Sequence, residues 1–208
     1  MNAQVSSPEL TAAVLQEDRA RADFYALISR LFYAGPDAGL LAAIAAADEI
    51  AGEAENVSLA EAWKSLISAA AAMDAEAAQE EYDSVFVGTG KAEITPYASH
   101  YLAESMKENV LVRLRAELAA MGLERDQGAA EYEDHFSSLC EVMRHLIGAG
   151  SSDAAAHEQK SFFLEYVDLW YVDFCAAVMA SPNTNFYKQV AIFTKAFLDV
   201  ERDSFELI

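Results

Sequence analysis

The chain is short of positive charge. Its 208 residues carry 14 Lys and Arg against 34 Asp and Glu, a formal charge of −20. Non-specific binding to nucleic acid draws on neutralised phosphates, so a chain with no basic cluster is a poor fit to DNA or RNA. An anionic membrane surface repels it for the same reason. Cysteine is also scarce. Cys140 and Cys175 sit in the apolar contexts SSLCEVM and VDFCAAVM, which suits buried reduced thiols better than a disulfide framework. No run of about 18 uncharged apolar residues is present to span a membrane. The opening residues, MNAQVSSPELTAAV, lack the basic and apolar regions of a secretory signal. The expected compartment is therefore the cytoplasm.

Catalytic patterns are missing as well. Three positions before His100, His135, His145 and His157 stand Tyr97, Tyr132, Val142 and Ala154. None is the Glu that a carboxylate-bridged di-iron bundle requires. His-Glu-x-x-His, Cys-x-x-Cys and Gly-x-Ser-x-Gly do not occur. Gly90-Lys91 fails as a phosphate loop, because Val85 replaces the first glycine and Ala92 the Ser/Thr. Glu131/His135 and Glu141/His145 are each four apart and could offer two metal ligands from one helix face. Such pairs more often make a surface hydrogen bond, and no metal or other cofactor is expected.

What the chain has is apolar mass: 53% hydrophobic and 11% aromatic residues, which argues against disorder despite the charge. A chain of this length buries about 70% of its unfolded surface without metal or disulfide staples. With only 4 Pro and 9 Gly, apolar residues recur every three or four positions, the period of an amphipathic helix. Ser6 and Glu9 fit a capping box around Pro8, and a face through Leu10, Phe24, Ile28 and Phe32 runs to Gly35-Pro36. Further helices are predicted over Asp37–Ala51 (ending at Gly52), from Ser58-x-x-Glu61 to Ala70, and from Asp74 to Val87. Gly88 to Pro96 breaks the pattern and reads as a hinge. Helices resume from Ser99 to Met121, from Asp134 to Ile147, from an Asp153 cap to Ala180, and from Asn185 to Asp203. The expected architecture is all-α: residues 1–208 as one multi-helix bundle of about eight or more helices. The hinge at 88–96 could join an N-terminal and a C-terminal lobe. Hinge loops of this kind permit exchange of lobes in a homodimer.

Two segments stand out. The first is Glu81-Tyr82-Asp83-Ser84-Val85-Phe86, followed after the linker by Pro96-Tyr97-Ala98-Ser99-His100-Tyr101. Tyr82 and Phe86 share a helix face and suit a core. Tyr97 and Tyr101 are likewise spaced for one face, with hydroxyls that need a polar partner. The second is Glu131-Tyr132-Glu133-Asp134-His135-Phe136. There Asp134 fits a helix N-cap and His135 the first turn, half-buried.

These segments resemble the TorD/DmsD family. The resemblance rests on Tyr-x-x-hydrophobic-Phe before a glycine, then Pro-Tyr-x-Ser-x-Tyr, then Asp134-His135 at a helix start. Phe162-Phe163, Trp170 and Phe174 follow, with Phe186-Tyr187 after Pro182. In order, these cover about residues 9 to 200. Ala98 stands where the family usually has Glu, and Glu133 where proline is common before Asp-His.

The resemblance implies a cytoplasmic maturation chaperone and not an enzyme. Its partner would be a molybdenum or tungsten oxidoreductase catalytic subunit, whose twin-arginine signal peptide it holds until the cofactor is inserted. By that resemblance Asp134 and His135 are the site residues that transfer most directly. Physical reasoning adds Glu131 and Glu133 as receivers of guanidinium groups. Phe86, Tyr97 and Tyr101, with Tyr82 and Ser99 beside them, would line an apolar groove that takes the leader by helix-in-groove docking. Two alternatives remain at this point: a helical ligand-sensing or scaffold module, and a haem-degrading helical enzyme. The second is disfavoured because no histidine precedes His100.

Overall fold

A computed structural model describes residues 8–50, 57–102, 109–126, 128, 130–150 and 152–208. Ser6, the Ala51-Gly52 stop, and the side chains of Glu9 and Leu10 lie outside the described residues. Among those residues the fold is all-α, with ten helices and one π-helical turn and no strand. The helices are α1 (Pro8–Tyr33), α2 (Ala38–Ala45), α3 (Val57–Ala72), α4 (Ala75–Tyr82), α5 (Ala98–Leu102), α6 (Val110–Ala120), α7 (Phe136–Gly148), α8 (Asp153–Tyr166), α9 (Tyr171–Ala180) and α10 (Phe186–Glu206). The π-helical turn, Asp83–Val87, continues α4. It closes with the Gly88 amide donating to the Asp83 carbonyl at 2.7 Å.

The centre is a knot of aromatic rings. Phe32 of α1 lies 5.6 Å from Phe86, 5.2 Å from Phe136, 5.1 Å from Phe174 and 6.1 Å from Tyr187. These rings come from both sides of the 88–96 linker, so the two sides share one aromatic core among the described residues. Such offset and edge-on pairs add to the stabilisation from buried area. The linker itself is pinned. Ile94 is buried and its amide donates to the Val85 carbonyl, while the Glu93 carboxylate accepts from Ser181 Oγ at 2.6 Å and Asn183 Nδ2 at 2.7 Å. Gly88 is required there. Its φ is +65°, and an added Cβ would stand 2.2 Å from the Lys91 carbonyl oxygen.

Several helix ends differ from the sequence expectation, some for a visible reason. α2 stops at Ala45 and not Ala51, and the Asp48 carbonyl beyond it instead accepts from the Trp63 indole at 2.9 Å. Ser58 lies inside α3 and not at its N-cap, since Val57 before it is already helical. The Ser99–Met121 stretch is two helices, because Asn109 caps a fresh start at Val110. The Asp153–Ala180 stretch is also two helices. Ser152, not Asp153, is its N-cap, and the Trp170 indole takes the Tyr166 carbonyl at 2.7 Å where a helix would continue. The last helix runs on to Glu206.

Candidate functional site

Two segments that are distant in sequence meet at the start of α7. Ala98 N donates to the Asp134 carbonyl at 2.9 Å, and Phe136 N donates to the Pro96 carbonyl at 2.8 Å. The result is a single antiparallel bridge between Tyr97 and His135. The Tyr97 and His135 rings meet edge to face at 4.9 Å. Both motifs therefore belong to one structure, with Glu131, Glu133, Asp134, His135, Tyr97 and Ser99 gathered there.

Their roles differ from the expected ones. Asp134 is 1% exposed and His135 2%, so neither presents its side chain to a large partner. Asp134 is not the N-cap of α7. Its carboxylate accepts from the Ser99 amide at 3.1 Å, in the first turn of α5. His135 takes the N-cap position, its Nδ1 accepting from the Ser137 amide at 3.2 Å and lying 2.7 Å from the Ser137 hydroxyl. Capping explains why a polar ring is buried here: it satisfies an amide the helix cannot. Burial also pulls the imidazole down to about 4, against the opposing pull of Glu131 and Asp134. It is neutral at physiological pH.

The expected aromatic lining is also redistributed. Tyr82 and Phe86 are buried in the core. The Tyr82 hydroxyl donates to the carbonyls of Phe32 at 3.2 Å and Tyr33 at 2.9 Å, so it fixes the end of α1. Tyr97 and Tyr101 do not share a face. Tyr97 faces His135, whereas Tyr101 stacks on Trp170 at 5.0 Å and is pushed up to about 12, chiefly by burial. Glu131 and His135 do not share a helix face either, because α7 begins at Phe136. Among the described residues no group of three or more His, Cys, Asp or Glu could hold a metal ion.

Beside the bridge lies a groove of about 850 Å3. Its walls are the end of α1 (Ser29, Arg30, Tyr33), the end of α6 and described residues after it (Leu118, Leu123 to Asp126, Gly128, Glu131, Glu133), and residues of α7 from Ser137 to His145. Tyr33, Leu118, Leu123 and Val142 give it apolar surface. Glu124, Asp126, Glu131, Glu133 and Glu141 give it negative charge. Its guanidinium groups have partners: Arg30 pairs with Asp37, Arg144 with Glu141, and Arg125 lies over the Tyr132 ring at 5.6 Å. The Glu131 carboxylate accepts from the Tyr97 hydroxyl. Glu133 is held by both Arg115 nitrogens, Nε at 2.9 Å and a terminal nitrogen at 3.0 Å, which keeps its carboxyl below the usual range. Exposed Tyr132 and half-exposed Tyr33 extend the apolar surface at the rim. Leu118, Leu123 and Val142 could not be found from sequence, since they look like ordinary helix-face residues until the groove is formed.

This arrangement of an Asp-His turn beside an acidic groove sits inside a recognisable sequence region. The nitrate reductase delta subunit family matches residues 53–176, more than half of the chain. The chain belongs to the nitrate reductase delta subunit family. The match upholds the TorD/DmsD resemblance read from the motifs. A solved structure from Archaeoglobus fulgidus, of a candidate redox enzyme maturation protein, shares the fold. It is 22% identical, with a TM-score of 0.55, over 86% of this chain and 93% of that one. No curated protein matches the chain. Of the described residues in this member of the delta subunit family, none forms a helix long and apolar enough to cross a membrane.

Proposed function

We propose that the protein is a cytoplasmic maturation chaperone for a molybdenum or tungsten oxidoreductase subunit. It receives the arginine-bearing end of that subunit's twin-arginine leader in the groove beside α7 and delays export until the cofactor is in place. The observation that carries the reading is the groove's composition. Five carboxylates against three guanidinium groups surround a surface of Tyr33, Leu118, Leu123 and Val142, a net acidic and apolar lining that suits paired guanidinium groups followed by apolar residues. Carboxylates take guanidinium in a bidentate fork, and the geometry at Glu133 already shows it. Family membership supports the maturation role. At about 850 Å3 the groove has room for a few side chains and not for a whole helix. The apolar stretch of the leader therefore leaves over the rim at Tyr33 and Tyr132.

In this reading Asp134 and His135 are positioning residues. They lock α5 against α7 and so set the turn that carries Glu131 and Glu133. Glu131 is the first receiver, since its existing partner is a neutral hydroxyl. The test is titration calorimetry with a synthetic twin-arginine leader peptide. Glu131→Gln should weaken binding roughly tenfold or more, the worth of one charged hydrogen bond. Ser65→Ala, in a separate cavity lined by Lys64, Met73 and Phe186, changes no charge and should leave affinity unchanged. The reverse pattern would move the site.

A further inference from the structure

Given that the groove is the leader site, the fixed position of Glu131 has a cause outside its own segment. Among the described residues between α6 and α7 there is no helix to hold it. A glutamate on such a stretch is free to turn about its side-chain bonds, and ordering it has an entropic cost. The restraint comes from the other side of the antiparallel bridge, where the Tyr97 hydroxyl donates to Glu131 Oε2. Tyr97 is itself held at two points. Its backbone is bridged to His135, and its ring meets the buried His135 ring edge to face at 4.9 Å. Burial first, and then the bond to Glu131, push the Tyr97 hydroxyl well above the usual tyrosine range, so it keeps its proton and remains a donor. Glu131 lines the groove and Tyr97 does not. An incoming cation therefore meets the carboxylate and not the tyrosine. A carboxylate has about four acceptor positions and the hydroxyl uses one of them, so hydroxyl and guanidinium can be bound together.

We propose that Tyr97 is the positioning residue for Glu131: its hydroxyl holds the carboxylate at the groove wall before a guanidinium of the leader arrives. The ordering of Glu131 then belongs to folding and no longer to binding, which is how a preorganised site gains affinity. The Pro96-Tyr97-Ala98-Ser99 segment thereby acts on the leader without touching it.

The test is a double-mutant cycle, read by calorimetry on the full chain with a synthetic Arg-Arg leader peptide. Tyr97→Phe keeps the ring on His135 and the backbone bridge and deletes only the donor. It should bind the peptide about fivefold more weakly than the wild type, the scale of one long side chain ordered on binding. In a Glu131→Ala background the same change should alter affinity by less than about twofold, because the carboxylate it acts through is gone. Tyr171→Phe deletes the hydroxyl of another tyrosine–carboxylate pair, Tyr171 with Asp199 at 2.7 Å, outside the groove lining. It should leave affinity unchanged. Glu131→Asp keeps the charge, draws the carboxylate back from the hydroxyl, and does not depend on how Tyr97→Phe folds. It should lose about as much affinity as Tyr97→Phe, and wild-type affinity in it would overturn the proposal. A tighter Tyr97→Phe would mean that the hydroxyl blocks the carboxylate, which also overturns it. So does a Tyr97→Phe equal to the wild type, and so does a loss of the same size in both backgrounds, which would assign Tyr97 to the bridge alone. A wild type that does not bind the peptide sinks the leader reading itself. A wild type that binds it, with Glu131→Ala weakened and Tyr97→Phe unchanged, sinks only this inference.

Discussion

His135 is a titratable ring spent on holding a helix start. At 2% exposure, with Nδ1 accepting from the Ser137 amide, it must be neutral for the cap to form. Its folded value of about 4 lies below the ordinary 6.5. The unfolded chain therefore binds the proton first as pH falls. This contribution to stability is constant above pH 6.5 and is lost progressively between 6.5 and 4. The expected loss is about 1 kcal/mol between pH 6.5 and 5.5, read from urea midpoints. Asn at this position can cap in the same way without titrating, so His135→Asn should flatten that slope. An unchanged slope in His135→Asn would assign the acid sensitivity elsewhere. The Asp134-His135 pair was legible in sequence as a helix-start motif, and its partners Pro96 to Ser99 were singled out too. That the two segments pair was not legible, because a single antiparallel bridge leaves no periodicity to read. The assignment of the cap to Asp134 failed by one residue. The Asp134 carboxylate is turned toward another helix, and no local pattern records that.

The elements show the same division between local and remote causes. Helix existence followed from apolar spacing almost everywhere, and ends closed by a local residue, such as Asp37 for α2 and Asp74 for α4, fall close to where the sequence places them. Ends set by a distant group do not. α10 has no side-chain cap of its own. Instead Glu81, about a hundred positions earlier, accepts from the amides of Asn185 at 2.9 Å, Phe186 at 3.1 Å and Tyr187 at 2.7 Å. One carboxylate thus satisfies three orphan amides and favours the positive end of the helix. Glu81→Ala should cost about 1–2 kcal/mol, the scale of a lost cap, which is a fall of a few degrees in Tm for a chain of this size. Differential scanning calorimetry checks this, and a Tm within a degree of the wild type would mean that water replaces the carboxylate without loss. Side-chain donors also mark the breaks at Asp48, reached from fifteen residues away, and at Trp170, reached from within its own segment. In each an indole N–H claims a backbone carbonyl, and an indole in a sequence does not announce which carbonyl it will take.

At the scale of the molecule, the charge of −20 sets a field that draws cationic segments in and speeds their encounter. In the proposed function the groove converts that general attraction into a site, because its carboxylates stand around an apolar surface. The all-α class and the family were legible from composition, period and the order of four motifs. The groove was not, since it is formed by the end of α1, the segment after α6 and the face of α7, which meet only on folding. Tyr82 and Phe86 illustrate the limit: their spacing suited a core and a ligand face equally, and burial decides for the core. The most direct measurement of the central claim is calorimetry of the wild-type chain with a twin-arginine leader peptide and with its double-glutamine counterpart, at 50 mM and 500 mM salt. Carboxylate–guanidinium recognition predicts at least a tenfold preference for the arginine peptide at low salt, shrinking as salt screens the rim charges. Equal affinity for the two peptides at both salt concentrations would contradict it.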